Sequence, residues 1–125
     1  MCAHGGQSTM SIYEPAQCPE DLARLFLSRA NRQDVEGVVA LYAPEAVLVP
    51  PGGSRAVGTS AIRTFYRDVF RSGPVFQREP QLAVICGELA LTSTRFSGGA
   101  TAEGARRQPD DTWLWVIGQP NIVPG

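Results

Sequence analysis

Residues Asn31–Phe70 read NRQDVEGVVALYAPEAVLVPPGGSRAVGTSAIRTFYRDVF, and the order of elements in this stretch decides the fold. Asp34 can cap a short helix whose apolar face is Val35, Val38, Val39 and Tyr42, and Pro44 ends it. Ala46 to Val49 reads as a short buried strand, stopped by Pro50-Pro51-Gly52-Gly53. Thr59 or Ser60 then opens a third helix with Ile62, Phe65, Tyr66, Val69 and Phe70 on one face. Downstream, Pro74 to Gln119 alternates in the manner of strands joined by tight turns. Helices in front and an antiparallel sheet behind give an α+β cone: three N-terminal helices packed on a curved, mostly antiparallel sheet, with a cavity between.

Upstream, Pro19 stands where proline opens a helix, followed by Glu20 and Asp21 in its first turn. Leu22, Leu25, Phe26 and Ala30 keep one apolar face on that helix. Residues 1–17 lack such periodicity and read as a tail, which leaves 18–125 as a single domain and Met10 as a possible internal start.

The 125 residues suffice for a genuine core, and 43% hydrophobic with 18% charged residues is a globular balance. A net charge of −1 gives no reason to expect nucleic acid or an anionic membrane as partner. All 11 basic residues are Arg, so lysine-based covalent chemistry is excluded. Arg63, Arg67 and Arg71 form a stripe, but Asp68 interrupts it and no glycine-rich phosphate loop adjoins it, so it reads as a solvated helix face.

No apolar run reaches the roughly 20 residues of a membrane span, and no signal peptide is recognisable. Cys2, Cys18 and Cys86 have no metal-ligand spacing and cannot all pair; they suit a reduced, cytoplasmic setting. Cys86 reads as a small core hydrophobe. The single histidine, His4, lies in the tail, so a histidine-based triad or metal site in the folded body is excluded. The expectation is a protein without metal or cofactor, whose acid–base work falls to carboxylates, tyrosines or water.

The strands are expected over 75–86, 89–97, 100–108 and 112–119, with Gly87-Glu88 and Gly98-Gly99 as two-residue hairpin loops and Pro109-Asp110-Asp111 as a longer turn. Pairing Ser97 with Ala100 sets Thr94 opposite Glu103 and Thr92 opposite Ala105. Pairing Gln108 with Thr112 sets Arg107 opposite Trp113, Ala105 opposite Trp115 and Glu103 opposite Ile117. One face then collects Thr92, Thr94, Phe96, Glu103, Arg107, Trp113, Trp115, Ile117 and Gln119, the mixture expected of a pocket. The other carries Leu89, Leu91, Ser93, Arg95, Ala102, Arg106, Leu114 and Val116, and suits a second subunit.

The motifs N-x-x-D-V-E-G-V-V-A-L-Y-A-P-E-A-V (Asn31 to Val47), G-T-S-A-I-R-T-F-Y (Gly58 to Tyr66) and W-V-I-G-Q-P-N-I (Trp115 to Ile122) resemble the SnoaL-like and ketosteroid isomerase-like group of the nuclear transport factor 2-like superfamily. The resemblance spans about residues 19–123. It implies the cystatin-like cone, an apolar pocket for a small apolar or mixed-polarity ligand, and a homodimer formed through the sheet. The steroid isomerases place a base and an oxyanion tyrosine at positions that fall here on Pro50 and Phe26, which can neither take a proton nor donate one. Steroid isomerisation by that mechanism is therefore not expected.

The polyketide cyclases and epoxide-opening enzymes of this group use a pocket acid, so the resemblance implies that Glu103, the acid inside a late strand, is the general acid or base of a cofactor-free isomerase, polyketide cyclase or epoxide-opening, hydratase-type enzyme. Its alternative is a structural Glu paired with Arg107 or hydrogen-bonded to Thr94. Phe26, Tyr42, Phe65 and Tyr66 on the helices complete the candidate pocket, with the tyrosines also readable as core residues. The sequence supports a small-molecule-binding module first and an enzyme second.

Overall fold

In the computed structural model, which describes residues 13–122, helix α1 (Pro19–Ala30) begins with Pro19 in its first turn and buries Leu22, Leu25, Phe26 and Ala30. The backbone N–H of Gln17 donates to Asp21 (3.0 Å), which anchors the entry to the helix. Residues 13–17, assigned above to the tail, are packed on the domain: Tyr13 donates to Asp34 (2.9 Å), and Ala16 bridges Trp113. His4, Met10 and the remainder of the expected tail lie outside the described residues.

Asp34 caps α2 (Val35–Val39) through the N–H of Gly37 at 3.0 Å. This helix is shorter than its apolar spacing suggests, because Tyr42 already belongs to strand β1 (Tyr42–Leu48). Pro44 is accommodated inside β1, where the pairing with the neighbouring strand is irregular between Tyr42 and Val47. Asp34→Ala removes both the cap and the acceptor for Tyr13. We expect a loss of about 1–2 kcal/mol, read as a lower urea midpoint with unchanged slope.

A short β2 (Ala56–Val57) leads through Gly58, at φ 88°, into α3 (Thr59–Phe70), which buries Ile62, Tyr66 and Phe70. The sheet half is more broken than its alternation implies. The strands are β3 (Glu79–Pro80), β4 (Val84–Cys86), β5 (Leu89–Thr92), β6 (Thr94–Phe96), β7 (Gly99–Ala100), β8 (Ala102–Arg107) and β9 (Trp113–Gln119). The main sheet runs β2-β1-β9-β8-β5-β4, with only β1 and β9 parallel, and a smaller sheet runs β3-β6-β7. The long hairpin divides between the two sheets at Ser93 and Thr101, where the Thr101 hydroxyl accepts the N–H of Thr94 (2.9 Å) in place of a backbone carbonyl.

Two register corrections follow. The first hairpin turns at Ser97-Gly98 rather than Gly98-Gly99: Phe96 pairs with Gly99, and Thr92, not Thr94, lies opposite Glu103. This two-residue shift preserves the faces, since side chains alternate with period two. In the second hairpin Arg107 pairs with Trp113 and Ala105 with Trp115 as expected, but a bulge follows. Gly104 then pairs with Ile117, and Glu103 with Gly118.

The core between helices and sheet includes Leu22, Val38, Leu41, Leu48 and Ile62, all fully buried. Cys86 lies on the exposed edge strand β4, not in the core, and is a free thiol. Cys18 is disulfide-bonded. No helix among the described residues is long and apolar enough to cross a membrane.

Candidate functional site

Glu103 reaches the space between sheet and helices from the start of β8, and the bulge in β9 is what makes room for it. At the opposing position stands Gly118; a Cβ there would lie 3.3 Å from Leu48 and 3.6 Å from Glu103. The Glu103 side chain fills the place an opposing side chain would take.

A chain of hydrogen bonds holds the carboxylate. The indole N–H of Trp115 donates to the Thr92 hydroxyl (3.0 Å), which donates in turn to Glu103 Oε1 (2.7 Å). All three residues are buried. Burial pushes the Glu103 carboxyl above its ordinary value; the Thr101 and Thr92 hydroxyls and the more distant Arg78 guanidinium oppose this without cancelling it.

Facing Glu103 across the cavity are Tyr42 and Tyr66, whose hydroxyls lie 2.7 Å apart. Burial raises both phenols, so both stay protonated. Two hydroxyl protons share one mutual hydrogen bond, which leaves the other proton to be offered to a third atom. The walls are aromatic: Phe26 meets Trp115 at 6.1 Å and Tyr66 at 5.9 Å, and Tyr42 meets Trp115 at 5.2 Å.

Arg78 closes the cavity, and the sequence reading did not include it. Its guanidinium stands 4.6 Å from the Phe96 ring centre and 5.0 Å from that of Phe76. The signal was the spacing of Phe76 and Arg78, two apart in an extended segment and therefore on one face. The cavity is partly open and about 20 Å³, room for about one water. On the other side of Arg78 lies an open groove of about 250 Å³, lined by Val75, Phe76, Gln77, Phe96 and Ser97.

Of the residues expected in the pocket, Phe26, Tyr42, Tyr66, Thr94, Glu103 and Trp115 line this cavity, and Thr92 supports it. Phe96 borders the outer groove, and Phe65 packs behind Tyr66 at 5.0 Å. Three expectations fail. Ile117 is rotated to the outer face by the bulge and is 52% exposed. Arg107 lies at the far end of β8, paired with Asp111 (3.1 Å) and Glu88 (3.7 Å), so it partners neither Glu103 nor a ligand here. Trp113 is buried further along the same face, beside Ala16 and outside the cavity, so the cavity has one indole wall, not two. Among the described residues no cluster of His, Cys, Asp and Glu could hold a metal ion.

A family model described as "SnoaL-like domain" matches residues 23–118. Solved structures share the fold. A ketosteroid isomerase-like protein from Erwinia carotovora atroseptica is 24% identical, with a TM-score of 0.68 over 84% of this chain and 94% of that one. An NTF2-like protein with a cystatin-like fold from Novosphingobium aromaticivorans is 19% identical, with a TM-score of 0.67 over 80% and 76%. A domain of unknown function with a cystatin-like fold from Nostoc punctiforme is 16% identical, with a TM-score of 0.69 over 80% and 72%. With the cone, its curved sheet and a family match running from α1 to β9, the chain belongs to the SnoaL-like domain family.

Proposed function

We propose that this protein binds a small molecule of mixed polarity in the cavity between Glu103, the Tyr42–Tyr66 pair and Trp115. The observation that carries this reading is a buried carboxyl set among aromatic walls, beside phenols with a proton to offer. Anything larger than water requires the segment over the cavity to shift. That segment has little regular structure, since β3 has two residues, and Asn31 pins it at Phe76 (2.8 and 3.0 Å). Gly118→Val fills the cavity from the sheet side, where a Cβ already approaches Leu48 and Glu103. Fragment titrations followed by tryptophan fluorescence should show at least a tenfold loss of affinity in this variant. Retained affinity would place binding elsewhere.

A second reading, cofactor-free proton transfer, is favoured by the raised carboxyl of Glu103 facing neutral phenols. In it Glu103 takes or gives the proton, and a tyrosine hydroxyl donates to the developing oxyanion. Glu103→Gln discriminates the two: turnover lost with affinity kept supports catalysis, and a parent protein without turnover supports the binding module.

The reading includes a homodimer through the outer sheet face. Pairing aligns Val57, Val47, Ile117, Gly104, Leu91 and Val84 in one row across all six strands. Leu91 and Ile117 in that row are 56% and 52% exposed, an apolar band suited to a second copy. Sedimentation should give a dimer for the parent and a monomer for Leu91→Asp; an unchanged dimer would assign the contact to another face.

A further inference from the structure

Arg78 is a half-buried cation that feels the Glu103 carboxyl only at a distance. Among the described residues it makes no ion pair and no hydrogen bond. Arg24, Arg63 and Arg106 hold carboxylates at 2.6–3.2 Å, and buried Arg29 bonds two backbone carbonyls; the other arginines without such a partner (Arg32, Arg55, Arg67 and Arg95) are exposed to solvent, as Arg78 is not. Glu103, the nearest acid by its effect on the cavity, is instead bound to Thr92. A guanidinium with five donors and no acceptor is an unusual thing to hold out of bulk water.

Its surroundings explain what could answer it. The guanidinium lies 4.6, 5.0 and 5.7 Å from the ring centres of Phe96, Phe76 and Phe26, so its neighbours are flat apolar surfaces. It also borders both spaces, the inner cavity and the outer groove, and is the residue they share. A ligand in the groove therefore meets its planar donors first, with aromatic faces on either side. Planar donors match a carboxylate in bidentate geometry, and flat apolar walls match an aromatic or alkenyl body.

We propose that Arg78 is the anion-recognising residue of this site and that the ligand is a small aromatic or unsaturated carboxylate entering through the groove. The proposal rests on the binding reading above and adds the ligand's chemical class. The pairing draws Arg78 toward the carboxylate and off its rings, which joins groove and cavity and lets the apolar body reach Trp115.

The test uses benzoate, cinnamate and 2-naphthoate against their primary amides at pH 7, titrated into the full chain and followed by tryptophan fluorescence. The carboxylates should bind at least tenfold more tightly than the amides, and Arg78→Gln should bring each acid and its amide to within about twofold of one another. Arg78→Lys should recover only part of it, since an ammonium keeps the charge but not the planar donors. Equal affinity for acids and amides in the parent overturns the anion proposal and leaves small-molecule binding standing. Failure of both series to bind overturns the two together. The comparison in the parent needs no variant, so a poorly folding Arg78→Gln protein does not remove the test.

Discussion

Thr92→Val should lower stability by about 2–3 kcal/mol, more than its change in size would suggest. Valine keeps the shape of threonine and removes the hydroxyl at the centre of the Trp115–Thr92–Glu103 chain. The indole N–H then loses its acceptor and the carboxylate loses a donor, both in a buried setting. The indole is left unsatisfied and the carboxyl keeps only the Thr101 hydroxyl, so one deletion is felt at both ends. Urea unfolding of the parent and the variant measures this. A loss under about 0.5 kcal/mol would mean that the chain of bonds contributes little and that Glu103 is held by other contacts. Thr92→Ser, which keeps the hydroxyl, should restore most of the stability.

The second large effect is the pH dependence of Glu103→Gln. Burial raises the carboxyl of Glu103 in the folded protein, so folding favours its protonated form. Its contribution to stability is fully present below the ordinary value of 4.5 and is lost as pH rises through the folded-state value. Glutamine does not titrate, yet its amide oxygen still accepts from Thr92. The variant should therefore melt with the parent at pH 3.5 and above it at pH 8, by roughly a few degrees. Glu36, Glu45 and Asp110 have lowered carboxyls and slopes of the opposite sign, but they are common to both proteins and drop out of the difference. Melting curves that stay parallel over the whole range would show that Glu103 is not raised.

The helices were legible because their signals are local. Pro19 opens α1, Asp34 caps α2, and Gly58 precedes α3 with an apolar face at Ile62, Tyr66 and Phe70. The turn at Gly87-Glu88 was equally plain, with Gly87 at φ 61°. What failed depended on pairing between strands. Tyr42 continues an apolar helical spacing, yet hydrogen bonding to β9 claims it for the sheet. The exchange of Ile117 for Gly118 opposite Glu103 comes from one inserted residue, and only the glycine itself hinted at a bulge.

The site was half legible for the same reason. Glu103, Thr92 and Trp115 sit on one face by period-two alternation, which the two-residue slip in the first hairpin did not disturb. Trp113 shares that face with Trp115 but lies two pairs nearer the turn, beside Ala16 rather than over the cavity. Arg107 was judged by face alone, and position along the strand puts it out of reach. Arg78 escaped notice because it comes from a barely regular segment, where strand pattern carries little information.

The most direct measurement is fluorine NMR of the 5-fluorotryptophan-labelled protein, in which Trp115 lines the cavity while Trp113, on the same face of β9, packs beside Ala16 outside it and serves as the control. Titration with 2-naphthoate and with its amide should move the Trp115 resonance and leave Trp113 unmoved. A Trp115 resonance indifferent to both, or a response confined to Trp113, would contradict the assignment of this cavity as the binding site.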